Sequence, residues 1–108
     1  MYNSRVRSMM KFFKRNNNET VRLCTDEDGN IYIDGINKET RFVDISESGI
    51  VNIDLSSLRI CAQLEKINLQ GNRLTAIDLS PLESLKMLDV IDLSHNILEY
   101  VNIGRVKC

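Results

Sequence analysis

Residues 40–108 repeat with a period of 24, and no other feature constrains the fold as strongly. Leu64, Ile67, Leu69, Asn72, Leu74, Ile77, Leu79 and Leu82 return as Leu88, Ile91, Leu93, Asn96, Leu98, Val101, Ile103 and Val106. One step back the same places hold Val43, Ile45, Ile50, Ile53, Leu55 and Leu58, and only Thr40 and Ser48 depart. A unit of 24 residues cannot bury its own apolar face, so the copies must stack and share one core. Ile67 and Leu69 alternate with Lys66 and Asn68, the period of a strand. Successive coils then lay these strands side by side in the same direction, which predicts a parallel sheet. The coils run 40–63, 64–87 and 88–108.

The copies read T-R-F-V-D-I-S-E-S-G-I-V-N-I-D-L-S-S-L, L-E-K-I-N-L-Q-G-N-R-L-T-A-I-D-L-S-P-L and L-D-V-I-D-L-S-H-N-I-L-E-Y-V-N-I-G-R-V. This pattern resembles the leucine-rich repeat family, whose signature is L-x-x-L-x-L-x-x-N-x-L. The resemblance implies an α/β fold: a short solenoid with a parallel β-sheet on its concave face, short helical or 3-10 segments on its convex face, and an N-terminal cap. It also implies a stacked ladder of Asn72 and Asn96, whose amides bond the turn backbone, with Ser48 a partial substitute. On the return side, Ser80 reads as an N-cap, Pro81 as the first helical residue and Glu83 as the group reaching back to the cap. Cys61 aligns with Leu85 and reads as a small buried hydrophobe.

Residues 19–39 fall outside the repeat. Val21–Cys24 and Ile31–Ile33 flank Asp26-Glu27-Asp28-Gly29-Asn30, a hairpin signature, and read as the cap of the 19–108 domain. The acidic turn lacks the twelve-residue ligand series of a calcium loop. Residues 1–18 form a separate segment. Its first fifteen residues hold Arg5, Arg7, Lys11, Lys14, Arg15 and no acid, while 16–108 hold nine basic and fifteen acidic residues. At about 100° per residue, Tyr2, Val6, Met9, Met10 and Phe13 share one arc. A basic amphipathic helix capping the body, a tail, and a helix for a membrane surface or partner all fit this pattern.

The register also fixes the outward positions, a candidate partner-binding face. They are Arg41, Glu65 and Asp89; Phe42, Lys66 and Val90; Asp44, Asn68 and Asp92; Ser46, Gln70 and Ser94; and Glu47, Gly71 and His95. Five acids against two bases favour a protein partner with a polar or basic surface over nucleic acid. His95 is the sole histidine, and no nucleophile motif, metal-ligand cluster or glycine-rich phosphate loop occurs. The expectation is a non-enzymatic protein-interaction scaffold without cofactor or metal. Its rivals are a membrane-surface adaptor and a structural subunit completed by another chain. Three cysteines without a secretory signal point to the cytoplasm. The last repeat leaves Leu88, Ile91, Leu93, Leu98, Val101 and Ile103 without a following coil, which suggests a homodimer through that repeat.

Overall fold

The computed structural model describes residues 11–12 and 21–104. Eight short strands form in chain order: β1 (Lys11–Phe12), β2 (Arg22–Thr25), β3 (Ile31–Asp34), β4 (Phe42–Asp44), β5 (Lys66–Asn68), β6 (Ala76–Asp78), β7 (Val90–Asp92) and β8 (Tyr100–Asn102). Two 3-10 turns, Ser56–Ile60 and Ser80–Leu82, complete the regular structure.

The strands do not join into the solenoid sheet expected from the repeat. They divide among three separate small sheets, β1-β2-β3, β4-β5-β7 and β6-β8. The first is antiparallel and the other two parallel. The expected fold class is therefore corrected to a small mixed-sheet protein with no long helix among the described residues. The cause is local. The last side chain of each strand of the coils captures the N–H two residues further on, which a longer strand would need. The β3 strand of the hairpin meets the first coil through a Tyr32–Asp54 bridge and through the Ser57 hydroxyl, which donates to the Ile33 carbonyl at 2.7 Å.

The 24-residue spacing does set the pairing. Phe42, Lys66 and Val90 are partners across β4, β5 and β7, as are Val43, Ile67 and Ile91, and Asp44, Asn68 and Asp92. Ala76–Asp78 pair likewise with Tyr100–Asn102. One core runs from the hairpin through the coils, joining Val21, Leu23 and Ile33 to Val43, Ile45, Leu58, Leu64, Ile67, Leu69 and Leu82. Thr40, the odd residue at a leucine position, is buried. Its hydroxyl accepts the Asn37 N–H at 2.9 Å, closing the turn between hairpin and first coil.

At Lys11–Phe12 the backbone is extended and pairs with β2, where the sequence suggested a helix. The rest of the 1–18 segment lies outside the described residues. The 3-10 turn at Ser80 also differs from expectation. Its N-cap is Leu79, with no side-chain cap bond. Instead Asp78 Oδ1 accepts the Ser80 N–H at 2.9 Å, so the capping oxygen sits two residues earlier than the sequence reading placed it.

Candidate functional site

Two features of every coil are built from the residues just after its strands. Asp44 Oδ1 accepts from the Ser46 N–H at 3.0 Å and its hydroxyl at 2.7 Å. Asn68 Oδ1 accepts the Gln70 N–H at 2.9 Å. Asp92 Oδ1 accepts from the Ser94 N–H at 3.0 Å and its hydroxyl at 2.6 Å. The return side repeats the device. Asp54, Asp78 and Asn102 accept the N–H of Ser56, Ser80 and Gly104. These short side chains outcompete the ladder for nearby N–H groups and end each strand after three residues. Asp44, Asn68 and Asp92, taken from the sequence as partner contacts, are thus occupied in shaping their own turns.

The hydroxyl and N–H of Ser94 hold the Asp92 carboxyl below its ordinary value of 3.8. Those of Ser80 do the same for Asp78, and the Asn30 N–H for Asp26 in the hairpin turn. A lowered carboxyl stabilises the fold fully above its ordinary value and loses that contribution as pH falls through the lower folded value. Stability should therefore decline below about pH 4. A D78N/D92N variant, isosteric with Asn68, should show a shallower decline in acid denaturation followed by circular dichroism.

The fifth outward column has a different constraint. Glu47, Gly71 and His95 all lie in left-handed backbone, at φ 53°, 72° and 58°. Only glycine adopts this without cost, and a Cβ on Gly71 would sit 2.9 Å from Glu47 Cγ. Left-handed backbone costs an ordinary residue roughly 1–2 kcal/mol, while glycine adds about 0.5–1 kcal/mol of unfolded-state entropy. His95→Gly should then stabilise by about 0.5–1 kcal/mol in urea titration, and Gly71→Ala should destabilise. Glu47 and His95 hold their places as turn residues at some strain.

Among the remaining outward residues, Arg41 Nε pairs with Glu65 Oε2 at 2.9 Å, and its guanidinium lies 5.5 Å from the Phe42 ring. An exposed pair of this kind contributes about 0–1 kcal/mol. Gln70 is half-buried. Lys66, Asp89 and Val90 are exposed at the open side of the β4-β5-β7 sheet. No group of three or more His, Cys, Asp or Glu residues is placed to hold a metal among the described residues. Cys61 is fully buried, and burial pushes its thiol up to about 11, away from the reactive thiolate.

Asn72 and Asn96 are set inward. Asn72 Oδ1 accepts from the Ser48 and Ile50 N–H groups at 2.9 and 3.0 Å, and Nδ2 donates to the Ile45 and Leu69 carbonyls at 3.1 and 2.9 Å. Asn96 Oδ1 accepts the Leu74 N–H at 3.0 Å, and Nδ2 donates to the Leu69 and Leu93 carbonyls, both at 3.0 Å. Each asparagine therefore bonds its own coil and the one before. Ser48 donates its hydroxyl to the Ser46 carbonyl at 3.1 Å.

The sequence reading anticipated the uncovered end of the last repeat and the outward Val90, but did not single out Met87, Ile97 or Tyr100 on the same surface. Six of the eight large apolar side chains exposed among the described residues fall in the last coil and its entry: Met87, Val90, Ile97, Tyr100, Val101 and Ile103. Three of them stand at outward positions where the coil before carries Lys66, Arg73 and Ala76. That replacement of polar or small residues by Val90, Ile97 and Tyr100 was visible in the repeat. Leu88, Ile91, Leu93, Val101 and Ile103, which the repeat left without a following coil, line an open groove of ≈ 390 Å³ beside Val90. Comparison with protein-family models, with curated proteins and with solved structures returns no match. No helix among the described residues is long and apolar enough to cross a membrane.

Proposed function

We propose that this chain is a non-enzymatic protein-interaction module of the leucine-rich-repeat type whose contact surface lies on its last coil. The observation that carries this reading is the apolar turn taken by that coil. Val90, Ile97 and Tyr100 are 41%, 61% and 63% exposed where the preceding coil is basic or small. Apolar side chains concentrated in this way on one region of a small surface mark interaction sites. Pairing of positions 24 apart supports the repeat assignment. The unpaired Cys24 and Cys61 fit a reducing compartment, the cytoplasm.

Photo-crosslinking residues placed singly at Val90, Tyr100 and Ile60 test the reading in an extract of the source cells. Ile60 is 57% exposed but sits in the first coil. Discrete protein adducts from positions 90 and 100, and none from 60, are expected. Equal labelling from all three positions, or co-sedimentation of the chain with anionic vesicles in place of adducts, would overturn it.

A further inference from the structure

We propose that the groove on the last coil receives residues 1–10 of a second copy, so that the chain associates head to tail; this rests on the interaction reading above. Two independent features meet here. The groove is apolar, walled by Leu88, Ile91, Leu93, Val101 and Ile103. The part of its coil beside the groove, 88–104, holds Asp89, Asp92 and Glu99 with no lysine or arginine; Arg105 and Lys107, outside the described residues, bring the whole coil to a net charge of −1. Residues 1–10 have the complementary character, with Val6, Met9 and Met10 beside Arg5 and Arg7 and no acid at all. Apolar contact supplies the attraction at short range, and opposite charge selects the partner and its orientation.

For Val6, Met9 and Met10 the donor must be another molecule. β1 stands at the hairpin end and the last coil at the far end, with β2, β3 and the first two coils between them; the Tyr32–Asp54 bridge joins hairpin to first coil, and β4-β5-β7 pairing sets the coil spacing. Five strand spacings of about 4.8 Å make roughly 24 Å. Val6 is five residues from Lys11 and reaches at most ~17 Å from it, even fully extended. Val6, Met9 and Met10 thus fall short of their own groove but meet one brought against the hairpin end, while Tyr2, nine residues from Lys11, has a reach of about 30 Å. Such a contact joins unlike surfaces, so it closes when two copies exchange heads or when a ring forms, and otherwise continues as an open chain.

Light scattering of the purified chain over a range of concentrations tests this. The mass should climb past that of a monomer, to an exchanged dimer or beyond. It should fall back on raising salt from about 0.1 to about 1 M, where the screening length drops from about 10 to about 3 Å. R5E/R7E and, separately, I103K should each weaken the association by about tenfold or more. Ile103 is 47% exposed, and near-native circular dichroism of I103K would verify that the groove variant folds. A synthetic peptide of residues 1–10 should compete. A mass that stops at two copies and ignores R5E/R7E would instead assign the groove to two-fold pairing and overturn the proposal. A chain that is monomeric throughout would also overturn it. Adducts from positions 90 and 100 alongside a monomeric pure chain would leave the interaction reading standing while this one falls.

Discussion

Asn72→Ala should cost about 3 kcal/mol, the largest effect expected of any polar substitution here. The side chain is 5% exposed and serves four backbone groups: the N–H of Ser48 and Ile50 and the carbonyls of Ile45 and Leu69. Alanine strands all four in a place with little access to water. Each buried orphan costs about 1–3 kcal/mol, and partial relaxation keeps the total below their sum. Asn96→Ala removes a similar set of bonds, but that side chain is half-buried and water can replace the amide. Its cost should be nearer 1 kcal/mol. Urea titrations that give the two variants equal midpoints would contradict the burial difference on which this expectation rests.

Leu69→Ala should be as damaging, by about 2–5 kcal/mol, because Leu69 is fully buried between coils and its loss leaves a cavity. Leu93→Ala, at the equivalent place one repeat later, should cost less than half as much. Leu93 is packed on one side only and half-exposed on the other. The ratio of the two, read from thermal or urea unfolding, measures how much of the last coil's core remains open to water. If head-to-tail association covers the groove, the Leu93→Ala cost should grow with protein concentration.

The 24-residue period made the pairing register legible, because side chains at one phase of a repeat must share a face. Ile67 against Val43 and Ile91 follows directly, and so does the inward setting of Asn72. The hairpin was legible from Asp-Gly between two apolar stretches. What stayed hidden is local competition for backbone N–H groups. Asp44, Asp78 and Asp92 look like surface charges in the sequence, yet each ends or turns a segment through its own backbone. That competition ends the strands of the coils after three residues, which the repeat alone did not reveal. Burial was legible for the middle coil, and so was its loss in the last, where no following coil stands against the repeat. Leu79 and Ile103 occupy one template position, but only Leu79 has a coil on both sides. The positive φ of Glu47 and His95 was signalled only by Gly71, which shares their repeat position; neither residue type announces left-handed backbone by itself.

The backward reach of Asn72 has a consequence for synthesis. Its oxygen satisfies N–H groups of Ser48 and Ile50, and its nitrogen the Ile45 carbonyl, all of them more than twenty residues earlier. A coil leaving the ribosome is therefore incomplete until the asparagine of its successor has been made. Asn96 does the same for the carbonyl of Leu69 and the N–H of Leu74. Vectorial growth would then proceed as a zipper that runs one tooth behind translation, with each newly emerged unit locking the one already outside the tunnel.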